Sequence, residues 1–398
     1  MRNGWAGWHT TPVTAPLLRG WVELEETAHG VLPHRLPAWA REQWADPQLL
    51  MAEQQPSGVR LRFRTAATII ELEALPTKRV YAGMPPRPDG VYDLVIDGRL
   101  LGQGSIPQGK IVHIDLAKWS AGDRPDAGAE PGTPGSVRFD GLPEGDKTVE
   151  IWLPHDEVTE LIALRSNAPL APCPERERKR WLHHGSSISH GSNAQHPTGI
   201  WPAVAAGLAG VELLNLGFGG SALLDPFVAR TIRDQAADFI SLKLGINIVN
   251  MDAMRLRAFG PAVHGFLDTI REGHPATPLL LVSPILCPIH EHTPGPSAPD
   301  FSTGQLRFQA TGNPHESASG KLTLTQIRTT LEAIVAQRRR SDPHLHYLDG
   351  RVLYGDVDHA RMPLPDCLHP DGAAQRLIGE RFAAAAFGQD GPFARITD

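Results

Sequence analysis

Two different rhythms of apolar and polar residues divide the chain. Over residues 59 to 164 the apolar positions recur every second residue. Leu61 and Phe63 alternate with Arg60, Arg62 and Arg64; Ile70 and Leu72 alternate with Glu71 and Glu73. Val149, Ile151 and Leu153 alternate in the same way with Thr148, Glu150 and Trp152. A period of two places one face of a strand on a core and the other in water, as in antiparallel sheets. Asp97-Gly98, between VYDLVI and RLL, is a hairpin turn signal, because glycine accepts positive φ. Residues 121–145, rich in Gly, Pro and Asp, predict a long surface loop. A polar stretch with prolines, 166–179, is too short and too mixed in charge to act as a long flexible tether. Beyond it the rhythm changes. Short apolar runs at 180–184, 211–216, 239–244, 279–282 and 344–348 predict strands, and 201–208, 254–272, 322–338 and 371–386 predict helices. Leu324, Ile327, Leu331, Ile334 and Val335 share one helical face.

Strands alternating with helices predict a parallel sheet covered on both sides, with ligands beyond the carboxyl ends of the strands. The expected organisation is therefore an all-β sandwich or jelly-roll domain over residues 1–170, followed by an α/β domain over 171–398.

Composition narrows the function classes. With 38 basic and 44 acidic residues, 38 − 44 gives a net charge of −6. No Lys/Arg stripe with interleaved aromatics accompanies it, so nucleic acid is not the expected partner. Cys173, Cys287 and Cys367 are too few and too scattered for a disulfide framework or a CxxC metal site. No run of 18 apolar residues suggests a membrane span. The first 21 residues lack a signal peptide's apolar stretch, which makes a cytoplasmic location the expectation.

Three motifs stand just after predicted strands. WLHHGSSISHG ends a strand, turns at Gly185 and projects Ser187. NLGFGGSA brings Gly219 and Gly220, where backbone N–H groups can approach a ligand with no Cβ in the way. LGIN places the amide of Asn247 at the same edge. Far downstream, PDCLHPDG sets Asp366 three residues before His369, with Pro370 suited to the first turn of the following helix. A serine hydroxyl becomes a useful nucleophile only when a neighbouring base takes its proton, and a histidine placed by a carboxylate is the usual base.

Taken in order, these four blocks resemble the SGNH (GDSL) hydrolase superfamily over about residues 180 to 387. The resemblance implies a flavodoxin-like α/β domain with a parallel sheet between helices. It also implies Ser187 as nucleophile, His369 as general base and Asp366 as the residue that orients it. The oxyanion hole would comprise the N–H groups of Ser187 and Gly220 and the amide of Asn247. The N-terminal β-region more distantly resembles the jelly-roll domain that precedes the catalytic domain in some carbohydrate esterases. Two blocks depart from the family pattern: Ser186 stands for the Asp of GDS, and Ile248 for the Asp of GxND. Neither change touches the implied triad.

The expected function is a serine esterase that hydrolyses a small-molecule acyl ester without metal or cofactor. One alternative delivers the acyl group to an alcohol of a sugar or natural product. Another is a non-catalytic carbohydrate-binding protein on the same scaffold. The acyl chain, the alcohol and the oligomeric state are not written in the sequence. Ser189 is a rival nucleophile two residues late. His183 and His184 fit structural roles on a strand. His290-Glu291-His292 fits a solvated loop better than a metal site, having no third ligand. Cys367 fits a small buried side chain, and a Cys287–Cys367 bridge fits a cytoplasmic protein poorly. The long segment 287–321 is placed to line or cover an acyl or acceptor pocket.

Overall fold

The computed structural model describes residues 7–82, 84–114, 130–174, 177–302 and 304–394. The chain forms two compact units: residues 1–177 with 195–198, and residues 178–194 with 199–398.

The first unit is a β-sandwich. One sheet runs in the order Gly135–Phe139, Ile70–Tyr81, Val158–Ser166, Val31–His34 and Glu23–Glu26, with His9–Pro12 and Lys110–Ile114 added at its sides. The other runs Leu170–Pro172, Arg60–Thr65, Lys147–Trp152, Val91–Ile96 and Arg99–Ser105, with Leu18–Arg19 added. Leu61, Phe63, Val149 and Ile151 from one sheet and Ile70, Leu72, Leu161 and Leu164 from the other share a single apolar core. That is the inward face which the period of two predicts.

The outward face differs from expectation. Arg60, Arg62 and Glu150 are buried rather than solvated. Glu150 lies directly across the ladder from Arg62, with 3.4 Å between the charged groups, and Arg60 stacks on the Trp152 ring at 4.6 Å. Alternation fixes which side chains face the core; it does not reveal whether the other face is covered. Within this unit the buried Asp93 carboxylate also accepts hydrogen bonds from His196 Nδ1 (2.7 Å) and from the Thr198 N–H (2.9 Å).

Residues 121–129 of the predicted loop lie outside the described residues, and Gly135–Phe139 within it is a strand paired with Ile70–Ala74. The polar stretch 166–179 likewise contributes the sandwich strand Leu170–Pro172.

The second unit is a five-stranded parallel sheet in the order Glu212–Gly217, Arg180–Gly185, Phe239–Lys243, Leu279–Val282 and Leu345–Leu348. Helices Trp201–Ala209, Pro226–Asp234, Leu256–Gly273, Leu324–Arg338 and Gly372–Phe387 connect or follow these strands. All residues of Leu279–Val282 and Phe239–Lys243 are buried, as expected where helices cover both faces. In chain order the strands lie 2-1-3-4-5, which puts the switch point between the first and third strands. Helix Leu324–Arg338 starts later than its apolar pattern suggests. Thr323 caps it by accepting from the Gln326 N–H, and Gln326 returns a bond to the cap. Pro370 stands before the last helix rather than in its first turn, because Asp371 is the cap and accepts from the Ala374 N–H at 2.9 Å.

Candidate active site

The first block leaves strand Arg180–Gly185 and turns at once into the short helix Ser187–His190, with Ser186 as its cap. Ser187 is the first helical residue, so its N–H has no intrahelical partner. Its hydroxyl lies 2.9 Å from His369 Nε2. His369 Nδ1 lies 2.7 Å from Asp366 Oδ2.

The spacing of Asp366 and His369 has a local cause. Asp366 Oδ1 accepts from the backbone N–H groups of Leu368 (3.0 Å) and His369 (2.6 Å), closing a tight turn on its own side chain. The other carboxylate oxygen is thereby aimed at the imidazole. With Nδ1–H donated to Asp366, Nε2 is left to accept the Ser187 hydroxyl proton. Burial alone would raise the Asp366 pKa. The hydrogen bonds and charge of His369, with the backbone donors, outweigh it and hold the carboxyl below its ordinary range.

One partner has no signal in the motifs. Asn193 Nδ2 donates to the same Asp366 oxygen at 3.2 Å. Asn193 is exposed and held at φ 63°, a left-handed conformation that Asn tolerates better than most residues. Its only advance signal is being an Asn in the turn after the nucleophile block.

The three implied oxyanion donors are all uncommitted among the described residues. The Ser187 N–H and the Gly220 N–H make no protein hydrogen bond. Asn247 Oδ1 accepts from the Ala222 N–H at 3.1 Å, which fixes the amide and leaves Nδ2 free to donate. Gly220 needs its residue type, since its φ is 73°. Gly217 needs its own because of close approach: a Cβ there would lie 2.5 Å from the His190 backbone nitrogen. Asn215 ties these loops together, donating to the Ser189 carbonyl and accepting from the Gly217 N–H.

The rival residues have other partners. Ser189 is fully buried, with its hydroxyl on His183 Nε2 at 2.8 Å, and His183 Nδ1 meets Ser241 Oγ at 2.7 Å. His184 Nδ1 donates to the Leu216 carbonyl, and burial depresses its pKa to about 4. Burial also lowers the Lys243 pKa to about 8 and raises that of Cys287 to about 12.

His290 is not in a solvated loop. It is buried in the short helix Pro288–Glu291 and bonded to Ser297 Oγ at 2.6 Å, while Glu291 holds Arg328. Among the described residues no three His, Cys, Asp or Glu side chains converge as a metal-ligand group. Cys287 and Cys367 are free thiols; Cys287 Sγ lies 3.5 Å from the Cys367 carbonyl, and Cys367 is half-exposed rather than buried.

Segment 287–321 is structured rather than a bare loop. It contains the hairpin Ser297–Asp300 with Arg307–Ala310 and the short helix Pro314–Ser319. The hairpin lies against the candidate site. The Phe308 N–H donates to the Asp366 carbonyl at 2.9 Å, and the Phe308 ring meets the His369 ring edge-on, 5.7 Å between centroids.

Residues 178–288 match the model of the GDSL-like lipase/acylhydrolase family. Among solved structures, the chain is similar to the salicylyl-acyltransferase SsfX3 from a tetracycline biosynthetic pathway. Identity is 27%, the match covers 94% of this chain and 96% of that one, and the TM-score is 0.76. A protein described as a GDSL-like lipase from Bacteroides ovatus matches at 17% identity, with the same coverages and a TM-score of 0.66. A family two carbohydrate esterase from Cellvibrio japonicus matches at 13% identity, over 94% and 96% of the two chains, with a TM-score of 0.55. The last two likenesses are of fold alone. No curated protein matches the chain by sequence. Among the described residues no helix is long and apolar enough to cross a membrane.

Proposed function

We propose that the chain, whose residues 178–288 match the GDSL-like lipase/acylhydrolase family, acts on ester bonds as a hydrolase or acyltransferase through an acyl-enzyme on Ser187. The observation that carries this reading is the continuous hydrogen-bonded line from Ser187 Oγ through His369 to Asp366, at 2.9 and 2.7 Å. His369 Nε2 takes the hydroxyl proton as Ser187 Oγ bonds to the ester carbonyl carbon. The resulting oxyanion is received by the N–H groups of Ser187 and Gly220 and by Asn247 Nδ2. Loss of one such donor typically costs about 10²–10³ in rate. The intermediate collapses, and the leaving alcohol takes the proton back from His369. A second hydroxyl compound then attacks the acyl-enzyme, with His369 again as base, and Ser187 recovers its proton. Asp366 keeps the imidazole in the correct tautomer and stabilises the imidazolium.

With water as the second nucleophile the product is a free acid, and the enzyme is an esterase. With an alcohol it is an acyltransferase, a reading favoured by the likeness to the salicylyl-acyltransferase along almost the whole chain. A fluorophosphonate probe should label Ser187 in the wild type and leave Ser187→Ala unlabelled. Labelling at Ser189, or undiminished turnover by Ser187→Ala, overturns the assignment. Product partitioning with sugar or polyketide-like alcohols at millimolar concentration then separates the two outcomes. Ester product in excess of free acid makes the protein a transferase.

A further inference from the structure

We propose that Arg307 is an anion-recognition residue of this site, selecting esters that carry a carboxylate or phosphate group; the inference rests on the acyl-enzyme reading above. The hairpin strand Arg307–Ala310 runs alongside the turn that bears Asp366 and His369, pinned by the Phe308 N–H on the Asp366 carbonyl. Phe308 reaches the His369 ring, while Arg307 reaches the next side chain of the turn. Its Nη2 lies 2.9 Å from Cys367 Sγ and its Nε 3.3 Å from the same atom. Cys367 is two residues from His369, so their Cα atoms are at most about 7 Å apart.

The partner of this guanidinium is unusual. Several arginines elsewhere in the unit are held by carboxylates. Arg328 pairs with Glu291 at 2.6 Å, Arg271 with Asp342 at 2.8 Å, and Arg381 with Asp358 at 2.6 Å. Arg307 has no carboxylate within ion-pairing distance among the described residues. Asp300, opposite it in the hairpin register, is turned onto the Ser302 N–H at 2.9 Å. A thiol is a weak acceptor, and the guanidinium has five donors in a fork that matches carboxylate and phosphate oxygens. Arg307 is also exposed, so an incoming anion reaches it without displacing a buried ion pair. A solvent-open guanidinium held against the side chain two residues before His369 therefore acts as a recognition point for a charge near the scissile ester.

Two sources of that charge are separable. One arm compares p-nitrophenyl hydrogen succinate, with a carboxylate on the acyl part, against neutral p-nitrophenyl butyrate. The other compares acetyl-coenzyme A, with phosphates on the leaving part, against uncharged S-acetyl-N-acetylcysteamine. In one arm the wild type should favour the anion by roughly five- to thirtyfold in kcat/KM, and salt should shrink the preference. Arg307→Ala should remove that preference and leave the neutral partner's turnover unchanged, while Arg307→Lys restores part of it. No preference in either arm, or equal losses for charged and neutral members, overturns the proposal. Calorimetric binding of p-nitrophenyl hydrogen succinate to Ser187→Ala, with and without Arg307→Ala, reads the anion site without turnover. Arg307-dependent binding by a protein whose wild type turns over no ester would sink the acyl-enzyme reading and leave the subsite standing.

Discussion

Replacing Asp366 by Asn is the sharpest perturbation of the proposed site, and the geometry dictates its consequence. Asp366 Oδ1 is claimed by two backbone donors, the N–H groups of Leu368 and His369. In Asp366→Asn those donors hold the amide carbonyl in the Oδ1 place, and the NH₂ falls where Oδ2 stands. It then faces two further donors, His369 Nδ1 at 2.7 Å and Asn193 Nδ2 at 3.2 Å. The imidazole escapes by moving its proton to Nε2, which can no longer accept the Ser187 proton. A carboxylate-to-amide change of this kind in a Ser-His-Asp triad costs about 10⁴ in kcat, equivalent to about 5.5 kcal/mol of activation free energy. The turn itself survives, so the fold should too. The assay is steady-state hydrolysis of an aryl ester by wild type and variant, with thermal melting to verify folding. A kcat within tenfold of wild type and a change confined to KM would refute the reasoning and place Asp366 in the substrate pocket. The same carboxyl supplies an acid-sensitive part of stability. Its pKa is depressed in the folded state, so its contribution is present above the ordinary value of 3.8 and is lost as pH falls through the lower folded value. The stability gap between wild type and Asp366→Asn should therefore narrow below about pH 4.

Asn193→Gly removes the amide but keeps a residue suited to φ 63°, and it should lower kcat up to about tenfold with KM unchanged; unchanged kcat in a folded variant denies Asn193 a positioning role. Glu157 in the sandwich is buried, which raises its pKa from 4.5 to about 7 despite the Gly90 N–H at 2.8 Å and the nearby Lys78. A raised carboxyl keeps its proton longer in the folded than in the unfolded state, so stability falls as pH rises from about 4.5 to about 7. Glu157→Gln should therefore stabilise the sandwich by up to about 3 kcal/mol at pH 8 and by little at pH 4; urea unfolding at both values checks this, and an equal gap at both refutes it.

The parts of the molecule that were legible in the sequence share a physical cause, which is that they are local. Strand Leu279–Val282 is a fully buried apolar run bounded by Pro278 and Ser283, and it sits where the pattern puts it. Asp366 and His369 are joined by a turn that the carboxylate itself closes, so their spacing is both sequence signal and structure. Less legible was helix Pro226–Asp234, PFVARTIRD, whose nine residues give too few turns for a helical period to stand out. The buried Arg60, Arg62 and Glu150 escaped because alternating charge looks the same on a solvated face and on a covered one.

The hairpin at 297–310 and Asn193 were illegible for a different reason. Ser297–Asp300 reads SAPD, which has almost no strand propensity, and it becomes a strand only through its ladder with Arg307–Ala310. Asn193 meets Asp366 across 173 residues of chain, and Ser187 meets His369 across 182. The second pair was found because the motif blocks carry it, and the first had no such carrier. Both contacts depend on the same strand order, which brings the exit of the first strand and the turn before the last helix to one edge of the sheet. Chemistry shared across a family leaves a motif, whereas the elements that adapt it to one substrate are set by tertiary pairing alone. Substrate selection is therefore to be sought in Arg307 and Phe308, the hairpin neighbours of the Asp366–His369 turn that no motif announces, while Asn193 positions Asp366 itself.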